Sequence, residues 1–250
     1  MKLSVIVPVY NRERYVVSAL RSLARQRDAA DLDIIVIDDG SSDGSAEAIR
    51  SMMDENPCIR LFQKRNLGVA KARNAGLRQL PADAGFVSFL DSDDISLAGR
   101  FKADLACFEA DPGLELAYSL MIVADRIDDE RLEPTPDSRV MTLRGISLTT
   151  ALFSRALVER MGYFDEEFEQ AEDTDYLLRV FESGPTYELL DSVAVYYRRH
   201  ADNMTKEHAG RVHSHLRAIH KSMRRRQADP SLRAVLGIFE LKSRPEWRMM

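Results

Sequence analysis

Three carboxylates stand together directly after a short apolar run, and their spacing suits the binding of a divalent cation. The apolar run spans residues 85–90 and is predicted to be a buried strand. Asp91, Asp93 and Asp94 follow at its C-terminal end. Acids two residues apart at a strand end can offer oxygen ligands to one Mg²⁺ or Mn²⁺ ion, which commonly also binds phosphate oxygens. The structural alternative is an acidic turn in which Asp93 or Asp94 caps a helix.

Strands and helices alternate in the first 95 residues, which predicts the sheet that would position these acids. Strands are predicted over four segments, each of the first three followed by a helix: 3–9, 32–37, 59–63 and 86–90. This order indicates an α/β fold with a mostly parallel, doubly wound sheet. Such sheets bind ligands at the carboxyl ends of their strands, where Tyr10, Asp38, Asp39 and the acidic run all fall.

The second half of the chain is less regular. Strands are predicted over residues 116–123 and 187–197, and helices over residues 155–161 and 171–183. Residues 125–139 are polar and contain two prolines, so we predict a loop there.

Size and composition favour a soluble globular protein. The chain has 250 residues, of which 45% are hydrophobic and 30% charged. Its apolar runs are strand-sized, so we expect no membrane span, and we expect no export signal because the first residues enter a predicted strand at once. Cys58 and Cys107 lie in unrelated contexts, which favours reduced thiols in an intracellular protein.

The charge distribution is uneven along the chain. Residues 198–250 contain 13 Lys and Arg against 5 Asp and Glu, a net of +8, whereas residues 1–197 carry a net of −13. In the basic part, Val212, Leu216, Ile219 and Met223 recur at helical spacing among cations. Such a basic amphipathic helix either docks on the acidic body of the protein or contacts an anionic membrane surface.

Four segments occur in an order that resembles the family 2 glycosyltransferases, whose fold is named GT-A: residues 4–11, 36–43, 66–76 and 89–94. Residues 162–166 and 171–175 extend the resemblance, which covers about residues 3–200. The resemblance implies a Rossmann-like GT-A domain over residues 1–200. Its nucleotide-binding half would span residues 1–95 and its acceptor and catalytic half residues 96–200. A basic helical extension would follow over residues 201–250.

The activity implied by the resemblance is metal-dependent, inverting transfer of a hexosyl or N-acetylhexosaminyl group. The donor would be a nucleoside diphosphate sugar, UDP-linked, and the acceptor a saccharide or lipid-linked saccharide in cell-surface polysaccharide synthesis. We expect a cytoplasmic protein, peripheral at the inner face of the membrane, with no nucleic acid partner. The alternative is a non-catalytic nucleotide-sugar-binding module on the same fold. A nucleotidyltransferase would need a glycine-rich loop at residues 8–12. These residues include no glycine, so we do not expect that activity.

The resemblance assigns donor contacts to eight residues: Pro8, Tyr10, Asp38, Asp39, Lys71, Arg73, Asp91 and Ser92. Tyr10 can stack on a base, and Asp39 can accept a hydrogen bond from a uracil N–H group. Arg73 could meet the uracil or clamp the acidic motif, near a helix N-terminus with positive potential. The structural alternatives are a packed aromatic for Tyr10, turn capping for Asp38 or Asp39, and an exposed basic helix face for Lys71 and Arg73.

The resemblance also assigns the metal and the base. Asp93 would bind Mn²⁺ or Mg²⁺, Asp91 would bind the metal or the ribose, and His200 would complete the metal site. Asp173 would take the acceptor proton as general base, with Glu172 as its orienting neighbour. The alternatives are a polar surface position for His200 and a helix-dipole role for the acids at residues 172–175.

Overall fold

The computed structural model describes residues 1–200, 208–235 and 248–250, in which strands and helices alternate along the chain. The described strands are β1 (Lys2–Val9), β2 (Asp31–Asp38), β3 (Ile59–Gln63), β4 (Phe86–Phe89), β5 (Ile95–Ser96), β6 (Leu116–Ala124), β7 (Ile127–Asp128), β8 (Glu133–Pro134), β9 (Arg139–Leu143), β10 (Ala151–Ser154), β11 (Tyr187–Arg198) and β12 (Arg248–Met249). The described helices are α1 (Val16–Ala24), α2 (Ser45–Glu55), α3 (Val69–Arg78), α4 (Arg100–Ala110), α5 (Arg155–Met161), α6 (Glu172–Glu182) and α7 (His208–Ala228), with a 3-10 helix at Leu148–Thr150.

One mixed sheet joins both halves of the protein. Its strand order over the described residues is β12-β9-β6-β10-β4-β1-β2-β3, with β11 paired to β6 and to β5. The pairs β1–β2, β1–β4 and β2–β3 are parallel, as the βα alternation predicts. β10 runs antiparallel to both β4 and β6, so among the described strands parallel pairing is confined to β1–β4 and to the β11–β6 pair.

The central strands are apolar on both faces because helices cover both sides of the sheet. On one face Val5 and Val7 of β1 pack with Leu20 and Leu23 of α1. On the other face Ile6 packs in a second cluster that includes α3 and α6. This two-sided burial explains the near-continuous apolar runs of β1 and β2.

Gly76 lets α3 approach the sheet closely. A Cβ atom at this position would lie 2.4 Å from Cγ2 of Ile6. Since α3 carries Arg73 three residues earlier, just under one turn away, this close packing helps set how far the Arg73 side chain stands from the strand ends.

Two sequence expectations need correction. Residues 125–139, predicted as a loop, contain the antiparallel pair β7–β8 and the first residue of β9. The helix α4 was not predicted because its buried face holds the ion pair of Arg100 and Asp104, which breaks the apolar periodicity. The other predicted strands and helices agree with the structure within a few residues at each end.

The basic helix α7 lies against α6 and the loop before it. Arg217 and Lys221 pair with Glu167, while Arg225 pairs with Asp175 and Glu182. Of the two sequence interpretations, docking on the acidic body is therefore observed. Among the described helices, none combines the length and the apolar character that crossing a membrane requires.

Candidate active site

The loops after β1 and β2 are joined at the carboxyl edge of the sheet. Asn11 has a φ of 50°, and its Oδ1 accepts a hydrogen bond from the Ser42 backbone N–H at 2.8 Å. Its own N–H donates to Ser41 Oγ at 2.9 Å. At Gly40, with a φ of 77°, a Cβ atom would lie 2.7 Å from the Asn66 nitrogen. Three loops, after β1, β2 and β3, therefore meet at one place.

The two acids after β2 hold this loop cluster together. Asp38 is fully buried and accepts from the Ser41 N–H at 3.0 Å and from Gln63 at 2.9 Å. Asp39 accepts from the Gly68 N–H at 2.8 Å and pairs with Lys64. The Asp38–Ser41 contact, three residues apart, is the turn capping that the sequence offered as the alternative to nucleotide binding, whereas Asp39 binds the segment after β3.

The remaining residues assigned to the donor line the same edge. Pro8 is buried in β1 opposite Ile37 of β2. Tyr10, directly after β1, is 45% exposed. Lys71 is half-buried in the first turn of α3, and Ser92 is buried in the acidic run. Tyr10 is thus a large, accessible aromatic side chain at the strand edge, rather than a packed core residue.

The three acids after β4 have three different environments. Asp91 Oδ1 accepts from Arg73 Nη2 at 2.8 Å. Asp93 Oδ2 accepts from Arg12 Nε at 3.1 Å and lies 3.0 Å from His200 Nε2. Asp94 is fully buried, and its Oδ1 accepts from the backbone N–H of Arg198 at 2.9 Å.

These environments shift the pKa values of the three acids in different directions. Burial raises the pKa of Asp94 well above its ordinary value, and the charges of Asp93 and Asp91 add to the shift. Burial also raises the pKa of Asp91, although Arg73 opposes the shift. For Asp93 burial acts in the same direction, but the contacts with His200 and Arg12 outweigh it and lower the pKa. Asp93 is therefore the acid of this run that most firmly remains an anion.

Arg73 joins the acidic run to the second acidic motif. It is 4% exposed, and it donates from Nη2 to Asp91 and from Nη1 to Glu172 Oε1. Of the two roles open to Arg73 in the sequence, the contact with the acidic motif is the one seen. The contact brings the N-terminus of α6 beside the end of β4.

The Arg73 guanidinium faces three carboxylates, those of Asp91, Glu172 and Asp173. One positive charge cannot balance three negative charges, so one of these acids is favoured in its neutral form. Burial raises the pKa of Glu172 to about 7, against the attraction of Arg73 and with added repulsion from Asp173 and Asp91. Asp173 follows Glu172 directly in the chain, and its charge raises the pKa of both Glu172 and Asp91.

Asp173 is the more accessible acid of its pair. Glu172 is 6% exposed and bound to Arg73, whereas Asp173 is half-buried and accepts from the Thr174 N–H at 2.6 Å. Ala171 precedes them with a φ of 63°, a left-handed conformation that is strained for a residue with a Cβ atom. This backbone turn directs the chain into α6 at the site.

His200 and two arginines complete the site from distant parts of the chain. The His200 ring stacks on Tyr15 with 4.7 Å between centroids. Arg198 Nε donates to the Asp93 carbonyl at 2.9 Å, and its Nη2 contacts Asp129 in the turn between β7 and β8. Arg12 was not among the predicted site residues. Its position just after the end of β1 was the sequence feature that could have identified it as a site residue.

The fit of a divalent cation rests on two of the proposed ligands. Asp93 Oδ2 and His200 Nε2 are 3.0 Å apart, close to the separation of about 3 Å between neighbouring ligands of one octahedral ion. Within residues 1–200, 208–235 and 248–250, no group of three or more His, Cys, Asp or Glu side chains is arranged around one ion position. Asp91 instead accepts a hydrogen bond from Arg73. Oxygen and imidazole donors suit Mn²⁺ or Mg²⁺, so the residues present fit such an ion through Asp93 and His200.

Comparison with known proteins agrees with this architecture. Residues 4–116 match the sequence model of the family described as Glycosyl transferase family 2. The poly(ribitol-phosphate) beta-N-acetylglucosaminyltransferase TarS of Staphylococcus aureus is 28% identical over 214 residues, covering 82% of this chain and 37% of TarS. The uncharacterized glycosyltransferase EpsJ of Bacillus subtilis is 25% identical over 222 residues, covering 81% of this chain and 62% of EpsJ.

Solved structures share the fold. S. aureus TarS 1–349 in complex with UDP-GlcNAc superposes with a TM-score of 0.63 at 26% identity, over 84% of this chain and 62% of TarS 1–349. The mannosyltransferase PcManGT from Pyrobaculum calidifontis, in complex with GDP-Man and Mn²⁺, has a TM-score of 0.67 at 21% identity, over 89% of this chain and 64% of PcManGT. The fold is therefore GT-A. This chain spans less than two thirds of the length of these proteins.

Proposed function

We propose that this chain, whose residues 4–116 form a family 2 glycosyltransferase domain, transfers a sugar from a nucleoside diphosphate sugar to an acceptor hydroxyl. One observation carries the proposal: Arg73 binds both Asp91 and Glu172 and so gathers two acidic motifs into one site. The motif after β4 suits a diphosphate with its cation, and the motif at the start of α6 suits removal of a proton from a hydroxyl.

The proposed donor is a UDP-sugar that carries a hexosyl or N-acetylhexosaminyl group. TarS of S. aureus, which shares 26% identity, was crystallised with UDP-GlcNAc. The exposed Tyr10 ring stands where a base could stack. Asp39, which already accepts from Lys64 and from the backbone N–H groups of Leu67 and Gly68, is the proposed acceptor for a base N–H. Pro8, Asp38 and Ser92, also proposed as donor contacts, lie at or just after the carboxyl ends of β1, β2 and β4.

We propose that Asp93 and His200, with Asp91 beside them, hold Mn²⁺ or Mg²⁺ when the donor binds. The support is the lowered pKa of Asp93 and its 3.0 Å approach to His200 Nε2. The bound ion would supply Lewis-acid stabilisation of the departing diphosphate. Arg12, at 3.1 Å from Asp93, adds a fixed positive charge at the same place, and Lys71 lies at the N-terminal turn of α3.

In the proposed mechanism Asp173 is the general base. It takes the proton of the acceptor hydroxyl while that oxygen attacks the anomeric carbon, and the bond to the diphosphate breaks on the opposite face, with inversion. A single base is enough because the leaving group needs no proton from the protein. Glu172 cannot easily fill this role, since it is buried against Arg73, and we assign it to holding α6 in place.

The acceptor is proposed to be a saccharide or lipid-linked saccharide in cell-surface polysaccharide synthesis. The name of the TarS relative, a poly(ribitol-phosphate) beta-N-acetylglucosaminyltransferase, is consistent with a polyhydroxyl acceptor of this general kind. We accordingly place the protein in the cytoplasm, at the inner face of the membrane.

We further propose that α7 makes a peripheral membrane contact through its apolar side. Four side chains on this helix are 47–59% exposed: Val212, Leu216, Ile219 and Met223. The cations Arg217, Lys221 and Arg225 are instead paired with carboxylates of the protein, so the contact should depend more on apolar insertion than on lipid charge. Sedimentation with phosphatidylglycerol vesicles tests this. Leu216→Glu should reduce binding and the exposed control Gln227→Glu should not; equal binding by both would refute the contact.

The transferase proposal is tested with a panel of nucleotide sugars, each with and without Mn²⁺. Binding should raise the melting temperature most for UDP-linked sugars and only with the ion, because a ligand of the folded state stabilises it in proportion to affinity. UDP release from the donor that binds then separates an enzyme from a binding module. Binding without UDP release, for every acceptor supplied, would refute the enzymatic proposal.

A further inference from the structure

Two carboxylates of α6 that the proposed chemistry does not use are almost completely buried. The side chains of Asp175 and Glu182 are 2% and 1% exposed, and they stand two turns apart on the same face of the helix. Buried carboxylates need partners, since an unpaired charge in the interior is costly. Both acids have a partner on α7, in the C-terminal extension.

Arg225 of α7 binds both acids at once. Its Nη1 donates to Asp175 Oδ1 at 2.8 Å, and its Nε donates to Glu182 Oε2 at 2.8 Å. The neighbouring Ser222 also donates to Glu182 Oε1. A planar guanidinium that bridges two carboxylates on one helix face fixes both the distance and the rotation between the two helices.

Asp175 also connects this contact to the loop before the site. Arg179 Nε donates to Asp175 Oδ2 at 3.1 Å, and its other nitrogens donate to the carbonyls of Met161 and Tyr163, each at 2.8 Å. Phe164, next in this loop, stacks on Tyr176 with 4.2 Å between centroids. The start of α6 is thus held by a network that ends at Arg225.

The proposed base stands between two arginine anchors. On one side Glu172 is bound by Arg73 from α3, and on the other Asp175 is bound by Arg225 from α7. Asp173 lies in the same turn. The turn opens with the strained Ala171, whose backbone needs its surroundings to hold it.

From these contacts we infer that Arg225 is a positioning residue for the transfer reaction, and that α7 holds the first turn of α6 so that Asp173 meets the acceptor. The inference rests on the proposed function of Asp173. Proton transfer requires the base within hydrogen-bond reach of the hydroxyl, so a displacement of about 1 Å can lower the rate by up to about 100-fold.

The test compares Arg225→Ala with Arg224→Ala in the full chain. Arg224 is the adjacent residue and is exposed, so it is a matched control. Arg225→Ala should still fold, because Asp175 keeps Arg179 and Glu182 keeps Ser222. We expect kcat for UDP release from UDP-GlcNAc with Mn²⁺ to fall about 10- to 100-fold, with the Kd for UDP by calorimetry within about twofold of the parent. Arg224→Ala should match the parent, and Arg225→Lys should recover part of the rate.

A double-mutant cycle and hydrogen exchange separate positioning from general damage. Asp175→Asn should lower kcat as Arg225→Ala does, and the double variant should lose no more than either alone. Amide exchange in residues 172–178 should be faster in Arg225→Ala, with α3 unchanged. Unchanged kcat in folded Arg225→Ala, or equal losses of kcat and UDP affinity, would overturn the inference. If the parent protein released no UDP, the proposed function would fail, and unchanged exchange in residues 172–178 would separately refute the anchoring.

Discussion

The imidazole of His200 lies 3.0 Å from Asp93 Oδ2, although 107 positions separate the two residues. β11 makes this contact possible, because it runs parallel to β6 and delivers residue 200 to the edge of the sheet where β4 ends. The contact therefore joins the acidic run after β4 to a residue that lies just past the end of β11.

Asp93→Ala should abolish most of the ion-dependent affinity for UDP. The variant removes the acid of the run that remains anionic, so the cation would be held less well and the diphosphate would lose the positive charge of that ion. Calorimetry of UDP with Mn²⁺ is the measurement, and chelation with EDTA should have the same effect on the parent protein. Asp83→Ala, at an exposed acid paired with Lys2, is the control. Unchanged UDP affinity in Asp93→Ala would remove Asp93 from the metal site.

Asp173→Asn should separate donor binding from turnover. The substitution keeps the size of the side chain but removes the base, so turnover should fall about 100-fold or more, a barrier increase of roughly 3 kcal/mol. The Kd for UDP with Mn²⁺ should stay near that of the parent. Glu169→Gln, at an exposed acid just before α6, serves as the control. Near-normal transfer by Asp173→Asn would rule out Asp173 as the base.

Glu172 should make stability depend on pH in a defined direction. Its pKa of about 7 in the folded protein lies above the ordinary value of 4.5, so the folded state binds more protons between these values. The free energy of unfolding should therefore fall as the pH rises from about 4.5 to 7, by about 1–3 kcal/mol from this group. Urea unfolding at several pH values should show the slope in the parent and a flatter profile in Glu172→Gln. Identical slopes would mean that Glu172 titrates normally.

Ala171→Gly should stabilise the protein. Ala171 has a φ of 63°, where glycine avoids the strain of a Cβ atom, and the expected gain is about 0.5–1 kcal/mol in the free energy of unfolding. Ala48→Gly, inside α2, should instead destabilise by about 1 kcal/mol, because the helical backbone there suits alanine. Thermal or urea unfolding of both variants is the measurement. A destabilised Ala171→Gly would show that the side-chain methyl outweighs the backbone strain.

The sequence by itself determined the first four strands of the fold and the helices between them. The apolar runs that become β1 to β4 and the turn-forming residues after them are local signals, and each was predicted close to its observed bounds. Because parallel strands present their carboxyl ends at one edge, the meeting of Tyr10, Asp39 and Asp93 at that edge followed as well. The acid spacing after β4 was also local and pointed to cation chemistry.

Only the tertiary structure decided which charged groups face each other. Arg73 pairs with Glu172, Arg12 with Asp93 and Arg225 with Asp175. The partners are far apart in the sequence, so the local pattern of residues could not predict these pairs. The basic helix α7 had two open interpretations because its cations suit both an anionic membrane and an acidic protein surface. The buried carboxylates of α6 explain the docking. Two anions removed from water require cations at hydrogen-bond distance, and Arg225 of α7 pairs with both of them.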